Sequence, residues 1–452
     1  MKMPKFIEPS QPPVPDIYRL QKTDNIIDPF QIRAIFNSIF RKRNWSKRLQ
    51  EAQLRKIKLP APGEGLPRVL HYCADQGGCA FWRLIFVGDE LMANNKAVVQ
   101  TMYQVIPDAR AYMGLSAVRL QRQCNDTQIK FVKELKILSD SLKKQNHKGF
   151  KIIYEIDDII LPAGSICNYN LCKSSFIDPK IEQNVKEIMN YIDEMTVPSE
   201  FMRDHYKKHL GFDKISVIPN YVPKYWFDKG VTKDIVLDRY RRNLDKPRVM
   251  YAGSSTHFDL AGVNGQVDDF YHVTDAILKD LTLDKKYQWV FVGGVPRRLR
   301  SFVESGQIEL HKWTSMTDYP SLLNDLKINV MIAPLLDNDF NKAKANIKLT
   351  EGAALGIPCI AQNIQCYNSD GWKYLFNSGE EMMQQLSDVL ATEESIGQAF
   401  DNIVEYGSRY WLKDHLDEWI KIYTTPYGDP TRKELTDFYE RNKQQFGTDH
   451  LQ

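Results

Sequence analysis

Lys344, Lys348 and Glu351 stand four and three residues apart in the stretch FNKAKANIKLTEGAALGIPCIA, Phe340 to Ala361. On a helix those offsets share one face. Two cations beside a helix N-terminus suit a polyanion such as a pyrophosphate, because the free N–H groups there carry partial positive charge. A carboxylate in the same place can accept both hydroxyls of a ribose. A surface charge network worth a few tenths of a kcal/mol accounts for the charges equally, but not for their place between an apolar strand and a Gly-x-Pro exit.

Other residue types add chemistry elsewhere. Asp157 and Asp158 close the run KIIYEIDDII. Paired acids after a strand hold a metal ion, position an acceptor hydroxyl, or simply solvate a turn; acceptor positioning or structure is favoured. Gly77 and Gly78 follow a first apolar strand in DQGGC and let backbone approach a ligand. His257 stands out among nine histidines for its loop, against the commoner structural role. Trp313, past the strand ELHK, packs near a nucleotide base or lies in a core.

Elements must carry these residues to one place. Residues 1–26 form a proline-rich arm. Pro29 to Leu59 turns helical, and between Arg41 and Lys58 it carries eight Lys/Arg against one acid, Glu51. That segment is either a solvated face or a contact for nucleic acid or an anionic membrane. LPAPGEGLP, Leu59 to Pro67, marks a boundary. Strands are expected at Arg68–Ala74, Ala97–Val105, Lys151–Ile160, Asp193–Ser199 and Ile215–Pro223. The intervening helices are Trp82–Asn94, a mostly helical Ser116–Lys144, Lys180–Tyr191 and Glu200–His209. Asp228–Pro247 reads as a linker. A second alternating set runs from Arg248 and ends in an aromatic helix, Tyr410–Tyr423. Such alternation predicts parallel sheets, and the domain bounds expected are 1–66, 67–227, 228–247, 248–405 and 406–452.

Composition narrows the classes. A chain of 452 residues exceeds one ordinary domain, and 43% hydrophobic with 11% aromatic residues builds sizeable cores. A net charge of +3 is no global nucleic-acid footprint. Seven cysteines without a CxxC pair read as reduced thiols of a cytoplasmic chain, not a disulfide framework or zinc site. The N-terminus has no apolar stretch of signal-peptide type, and no run is long enough to span a membrane.

KLTEGAALGIPCIA resembles the E-x-x-A-x-G-x-P signature of retaining glycosyltransferases of the large family 4 (group 1) type. DQGGC, YEIDD, VPSEFMRDHY, VIPNYV, YAGSSTH, VFVGG and IAPLLDNDFNKAK extend the resemblance from about Arg68 to Tyr423. It implies an α/β GT-B fold: two Rossmann-like β/α/β domains facing across a cleft, a helical N-terminal extension, and a C-terminal helix packed back on the first domain. It implies that Glu351 holds the donor ribose and that the backbone of Asn346 and Ile347 meets the donor phosphates. The family's first glutamate falls on Ala343, a departure for which Lys344 or Asp339 can substitute. The basic pair usual after the first strand of the second domain is replaced by Gly253-Ser254-Ser255-Thr256-His257. Neutralisation then falls to Lys344, Lys348, or Arg297 and Arg298 after Gly293-Gly294. Donor contacts are thus expected at Gly77, Gly78, Gly253, Ser254, Ser255, Gly293, Gly294, Arg297, Trp313, Lys344, Asn346, Ile347, Lys348 and Glu351. Acceptor contacts are expected at Arg83, Asp157 and Asp158, and the candidate catalytic groups are Asp157, His257 and Lys344.

The resemblance thus implies sugar transfer from a nucleotide-diphosphate sugar, UDP-linked, to an acceptor hydroxyl, with no obligatory metal, no cofactor beyond the donor and no obligate protein partner. The GGCAFWR turn and the FNKAKANIK form are similar to phage-encoded members that glycosylate hydroxymethylated DNA bases. The basic Arg41–Lys58 segment would suit duplex DNA. A membrane-surface glycan enzyme, a non-catalytic GT-B binding protein and a sugar-nucleotide epimerase are the alternatives. Glu351 and Lys344 are both expected to face the cleft, so that replacing either costs activity more than stability.

Overall fold

The structure, a computed structural model, describes residues 66–424 apart from 76, 104, 106–108, 113, 145–148, 162–178, 228, 255–256 and 259–266. The N-terminal arm, the basic segment Arg41–Lys58, Ser255 and the tail after Thr424 lie outside the described residues.

Two six-stranded parallel sheets form the body. The first runs β2-β1-β3-β4-β5-β6, with β1 (Arg68–Tyr72), β2 (Val98–Met102), β3 (Ala117–Gln121), β4 (Lys151–Glu155), β5 (Glu194–Val197) and β6 (Ile215–Val217). The second runs β12-β11-β10-β7-β8-β9, with β7 (Arg248–Ala252), β8 (Gln288–Val292), β9 (Ile308–His311), β10 (Val330–Ala333), β11 (Cys359–Gln362) and β12 (Leu375–Phe376). Strand order reverses between β1 and β3 in one sheet and between β7 and β10 in the other. Loops leaving adjacent strands diverge there and open a crevice at the carboxyl ends.

β3 corrects the sequence reading, which made Ser116–Lys144 mostly helical. Arg119 and Gln121 give SAVRLQ no clean apolar alternation, yet all five residues of β3 are buried. Part of each polar group finds a partner inside the protein: Arg119 donates to the Arg83 carbonyl at 2.6 Å, and Gln121 accepts from the Ala74 N–H at 3.1 Å. The helix of this region is α2 (Asp126–Lys144), after α1 (Phe86–Ala93). A π turn, Phe81–Ile85, leads into α1 and buries Trp82, Arg83 and Leu84. β4 ends at Glu155, short of the expected Ile160, so Asp157 and Asp158 sit on the loop beyond its end.

The segment 228–247 contains α3 (Lys233–Arg242), started by the Thr232 hydroxyl and anchored by Val236 and Tyr240 in the second domain's core. The signature stretch forms α4 (Ile347–Leu355), which stops at Gly356. Gly356 has φ +61°, and a side chain there would lie 2.7 Å from Phe400 and Val231, so glycine is required twice over. After α5 (Glu393–Ser408) the chain returns to the first domain as α6 (Leu416–Thr424). There Tyr423 bonds His71 at 2.9 Å, the Ile422 carbonyl accepts from Lys151 at 2.8 Å, and Trp419 lies under the Arg119 guanidinium at 4.0 Å. Among the described residues no helix is long and apolar enough to cross a membrane.

Candidate functional site

At the crevice of the second sheet, α4 presents Lys348 and Glu351 to each other, Nζ to carboxylate 3.1 Å. Glu351 is 2% exposed and also faces the Tyr319 hydroxyl at 3.5 Å. Burial pushes its carboxyl above the usual range, and Lys348 only partly offsets this. Tyr319 in turn carries the Trp313 indole, stacked at 5.1 Å between centroids. Trp313 is 45% exposed, an aromatic face offered to solvent beside a buried carboxylate. Gly293, at φ +92°, lets the backbone pass beneath: a Cβ there would meet Trp313 at 2.9 Å and the Gly253 carbonyl at 2.5 Å. Asn346 starts α4, buried, with its amide donating to the Tyr406 hydroxyl at 2.7 Å.

The two loops flanking this crevice are tied together by Asp269. One carboxylate oxygen meets His257 Nδ1 at 2.7 Å. The other accepts from the Leu336 N–H at 3.0 Å and the Asn341 amide at 2.7 Å. Burial, then the positive field of Lys344, hold the His257 imidazole below its ordinary range. Burial is the largest influence and opposes the Asp269 charge, but the bond to His257, the positive fields of His257 and Lys344 and the Leu336 N–H together outweigh it and keep the carboxyl low. Asp269 and Asn341 escaped the sequence reading; a carboxylate twelve residues past a loop histidine was the signal available.

The first sheet's crevice holds a cluster centred on Arg122, which has φ +46°. Its guanidinium pairs with Asp75, with Asp158 at 3.1 Å and with Asp157 at 3.5 Å. Burial pushes Asp157 up to about 6; Arg122 pulls it back and Asp158 pushes it further. Cys79 joins them, 3.9 Å from Asp158. Cys79, Asp157 and Asp158 have metal-ligand spacing, with ligand atoms within 4.8 Å of one another. A divalent ion among them would meet the fixed charge of Arg122, which already fills the cation's place. The two domains meet beside these crevices: a Cβ on Gly78 would lie 4.0 Å from Met316 Sδ, and Tyr225 donates to the Met316 carbonyl at 3.1 Å.

By sequence, the chain matches no known family profile and no curated protein. Among solved structures, Anabaena HepE in complex with UDP and glucose aligns over 79% of this chain and 98% of its own, at 12% identity and a TM-score of 0.50. Anabaena HepE in complex with UDP-glucose aligns over 78% and 99%, at 11% identity and the same score. WaaG, a glycosyltransferase involved in lipopolysaccharide biosynthesis, aligns over 80% and 100%, at 12% identity and a TM-score of 0.46. The chain has the GT-B fold.

Within the GT-B frame several expected site residues take other roles. Arg83 is fully buried, bonded to Glu155 at 2.6 Å, the Ile218 carbonyl at 2.7 Å and Asn220 at 2.8 Å, so no acceptor reaches it. Lys344 is not on one helical face with Lys348, because α4 begins only at Ile347. Instead Lys344 Nζ lies over the Phe340 ring at 4.8 Å, and its field reaches His257 and Asp269. Glu351 is not an open cleft residue but an inward one, fixed by Lys348 and Tyr319. Ala343 is 1% exposed and, with Phe340, packs into the core of the first GT-B domain, so no glutamate fits there without displacing that contact. Arg297 is exposed, and Arg298 forms an exposed pair with Asp275 at 2.6 Å. Gly253 is buried, Ser254 exposed, and Gly77 and Gly78 open the turn after β1.

Proposed function

We propose that the protein is a glycosyltransferase that moves a sugar from a uridine-diphosphate sugar to an acceptor hydroxyl, with retention at the anomeric carbon. The observation that carries this reading is the exposed Trp313 indole, backed by the inward Tyr319–Glu351–Lys348 set, beside the crevice between β7 and β10. An exposed indole suits a base, a carboxylate suits a ribose diol, and lysines with a helix N-terminus suit a diphosphate. HepE, of the same fold, is known in complexes with UDP and with UDP-glucose.

In this reading the donor lies on the second domain, with the Asn346 and Ile347 backbone and Lys348 toward its phosphates. Asp157 and Asp158, held by Arg122, face the acceptor from the first domain. Their acidity suits hydroxyl donors. No metal ion is needed; the departing diphosphate is stabilised by cations and N–H groups. Cleft closure excludes water, which would otherwise compete as acceptor.

The acceptor is proposed to be a hydroxymethylated base of duplex DNA, on the strength of the basic Arg41–Lys58 segment. The test incubates full-length protein with UDP-glucose and UDP-N-acetylglucosamine, each with hydroxymethylated or plain duplex DNA, and weighs the products. A hexose mass added only to hydroxymethylated DNA is expected. Sugar transfer to glycan or lipid acceptors without any to DNA would overturn the acceptor; UDP binding without turnover on any acceptor would make the chain a binding protein.

A further inference from the structure

The chain passes between the domains twice, once after β6 and once after α5, and the two passages are clasped to each other. Val222 donates its N–H to the Tyr410 carbonyl at 2.8 Å and accepts from the Leu412 N–H at 2.9 Å. Tyr221 stacks on His415, with centroids 3.9 Å apart, and donates to Glu418 at 2.8 Å. Crossings of this kind absorb the relative motion of two domains. Asp370 stands between the clasp and α4. Its Oδ2 accepts from the Tyr410 hydroxyl, from the Tyr406 hydroxyl at 3.4 Å and from the Asn346 amide at 3.4 Å. Its carbonyl accepts from the Arg409 guanidinium at 3.3 Å. One residue thus joins the start of α4, the end of α5 and the returning passage.

We propose that Asp370 is a positioning residue of the donor site: it ties the start of α4, where the donor diphosphate is received, to the crossover clasp, so that a bound nucleoside diphosphate stiffens the clasp. The inference rests on the donor-site reading above. Asp370 acts through Asn346 and Tyr410, not by contact with the donor. An ionised carboxylate only accepts hydrogen bonds, and its charge strengthens each of them, so one oxygen can gather three donors.

The groups around Asp370 are themselves fixed. Trp372, two residues on, donates to the Cys359 carbonyl of β11 at 3.0 Å and meets the Tyr406 ring at 5.3 Å. α4 and α5 touch closely, since a Cβ on Gly407 would lie 2.1 Å from that of Ala353. Tyr406 therefore cannot swing away from Asn346 without moving both helices. Asn338 uses its side chain to cap the short helix Asp339–Lys342. Asn346 does not cap α4 in this way; its amide goes to Tyr406 at 2.7 Å and to Asp370. A diphosphate bonded to the Asn346 and Ile347 backbone fixes the residue whose side chain Asp370 holds. That restraint passes through the same carboxylate to Tyr410, whose carbonyl is half of the clasp.

The test is hydrogen exchange of the full-length protein, with and without saturating UDP, read at the Val222 and Leu412 amides that close the clasp. In wild type UDP should slow both by about fivefold or more, the lower end of ordinary coupling between sites. Tyr410→Phe keeps the ring and removes the hydroxyl that reaches Asp370. In this variant UDP should still protect α4, while its effect on Val222 and Leu412 is lost. Asp370→Asn should lose the same effect and bind UDP about fivefold more weakly. A merely structural role for Asp370 would speed exchange at the clasp equally with and without UDP, and would leave their ratio as in wild type. A wild type that binds UDP without protecting the clasp, or a Tyr410→Phe variant that keeps the protection, overturns the proposal and leaves the donor site standing. Failure of wild type to bind UDP overturns both.

Discussion

The half-exposed indole of Trp313 stacks on the buried ring of Tyr319, with centroids 5.1 Å apart and planes 29° from parallel. Tyr319 is locked from beneath by Trp226 at 5.7 Å. The upper face of Trp313 is therefore pre-organised, and docking a base costs little side-chain ordering. Trp313→Ala is expected to weaken UDP binding by about 1–3 kcal/mol, the range of base–aromatic stacking. Its melting temperature without nucleotide should stay near wild type, because nearly half of the indole is exposed and Tyr319 beneath it stays held by Trp226. Calorimetry with UDP against UMP and inorganic pyrophosphate checks it: pyrophosphate binding should be unaffected.

Glu351 lies inside α4, so the earlier expectation for its removal changes. Glu351→Ala leaves Lys348 without its partner and a void beside Tyr319, and a stability loss of about 1–3 kcal/mol accompanies the loss of nucleotide binding. Glu351→Gln keeps the volume and an acceptor oxygen, and should lower UDP affinity with a smaller stability cost. Denaturant midpoints measured beside UDP titrations separate the two effects. Equal stability of the Ala variant and wild type would mean that Glu351 is not packed as found.

The fold was readable where apolar runs alternate with amphipathic helices, as at β1, β4, β7, β8 and β10. It was unreadable at β3, where Arg119 and Gln121 sit in a buried strand, bonded in part by groups from distant segments. Part of the site was equally plain: Lys348 and Glu351 are local on one helix, and the Gly356 exit is a local cap. Lys344 was misplaced because the chain turns at Asn346 before α4 begins. Arg122 gave no local pattern, and Asp269 only a carboxylate twelve residues past a loop histidine. Their roles arise only when strand order brings β3 beside β1 and β10 beside β7, a long-range pairing no spacing reveals.

Glu155 accepts from two guanidiniums, Arg83 and Arg119, with all three side chains fully buried. Burial alone would raise its carboxyl, but the two cations win and hold it below 4.5. Removing one partner strands buried charge, so Arg83→Ala is expected to cost about 3–5 kcal/mol, and Arg83→Met less because the volume is kept. The pH sign follows from the lowered folded-state value: this stabilisation is full above about 4.5 and is lost as pH falls through the folded value. Glu155→Gln should remove that acid dependence while lowering stability at neutral pH. Chemical denaturation across the acid range measures both.

Asp157 has the opposite slope. Burial, opposed by Arg122 and reinforced by Asp158, raises it from 3.8 to about 6. Between those values the folded state binds more protons than the unfolded one, so this group makes stability fall as pH rises from 3.8 toward about 6. Asp157→Asn should match wild type in the acid range and exceed it above about 6, because the amide carries no charge to bury. Arg122→Met removes the cation that pulls Asp157 down, and should move the same transition to higher pH. Arg122→Gly should move it equally while relieving the φ of +46°. A midpoint unmoved by both Arg122 variants would show that the guanidinium does not govern Asp157. If transfer to an acceptor requires ionised Asp157, its rate should rise through this same transition, and the Arg122→Met profile should shift alkaline with it.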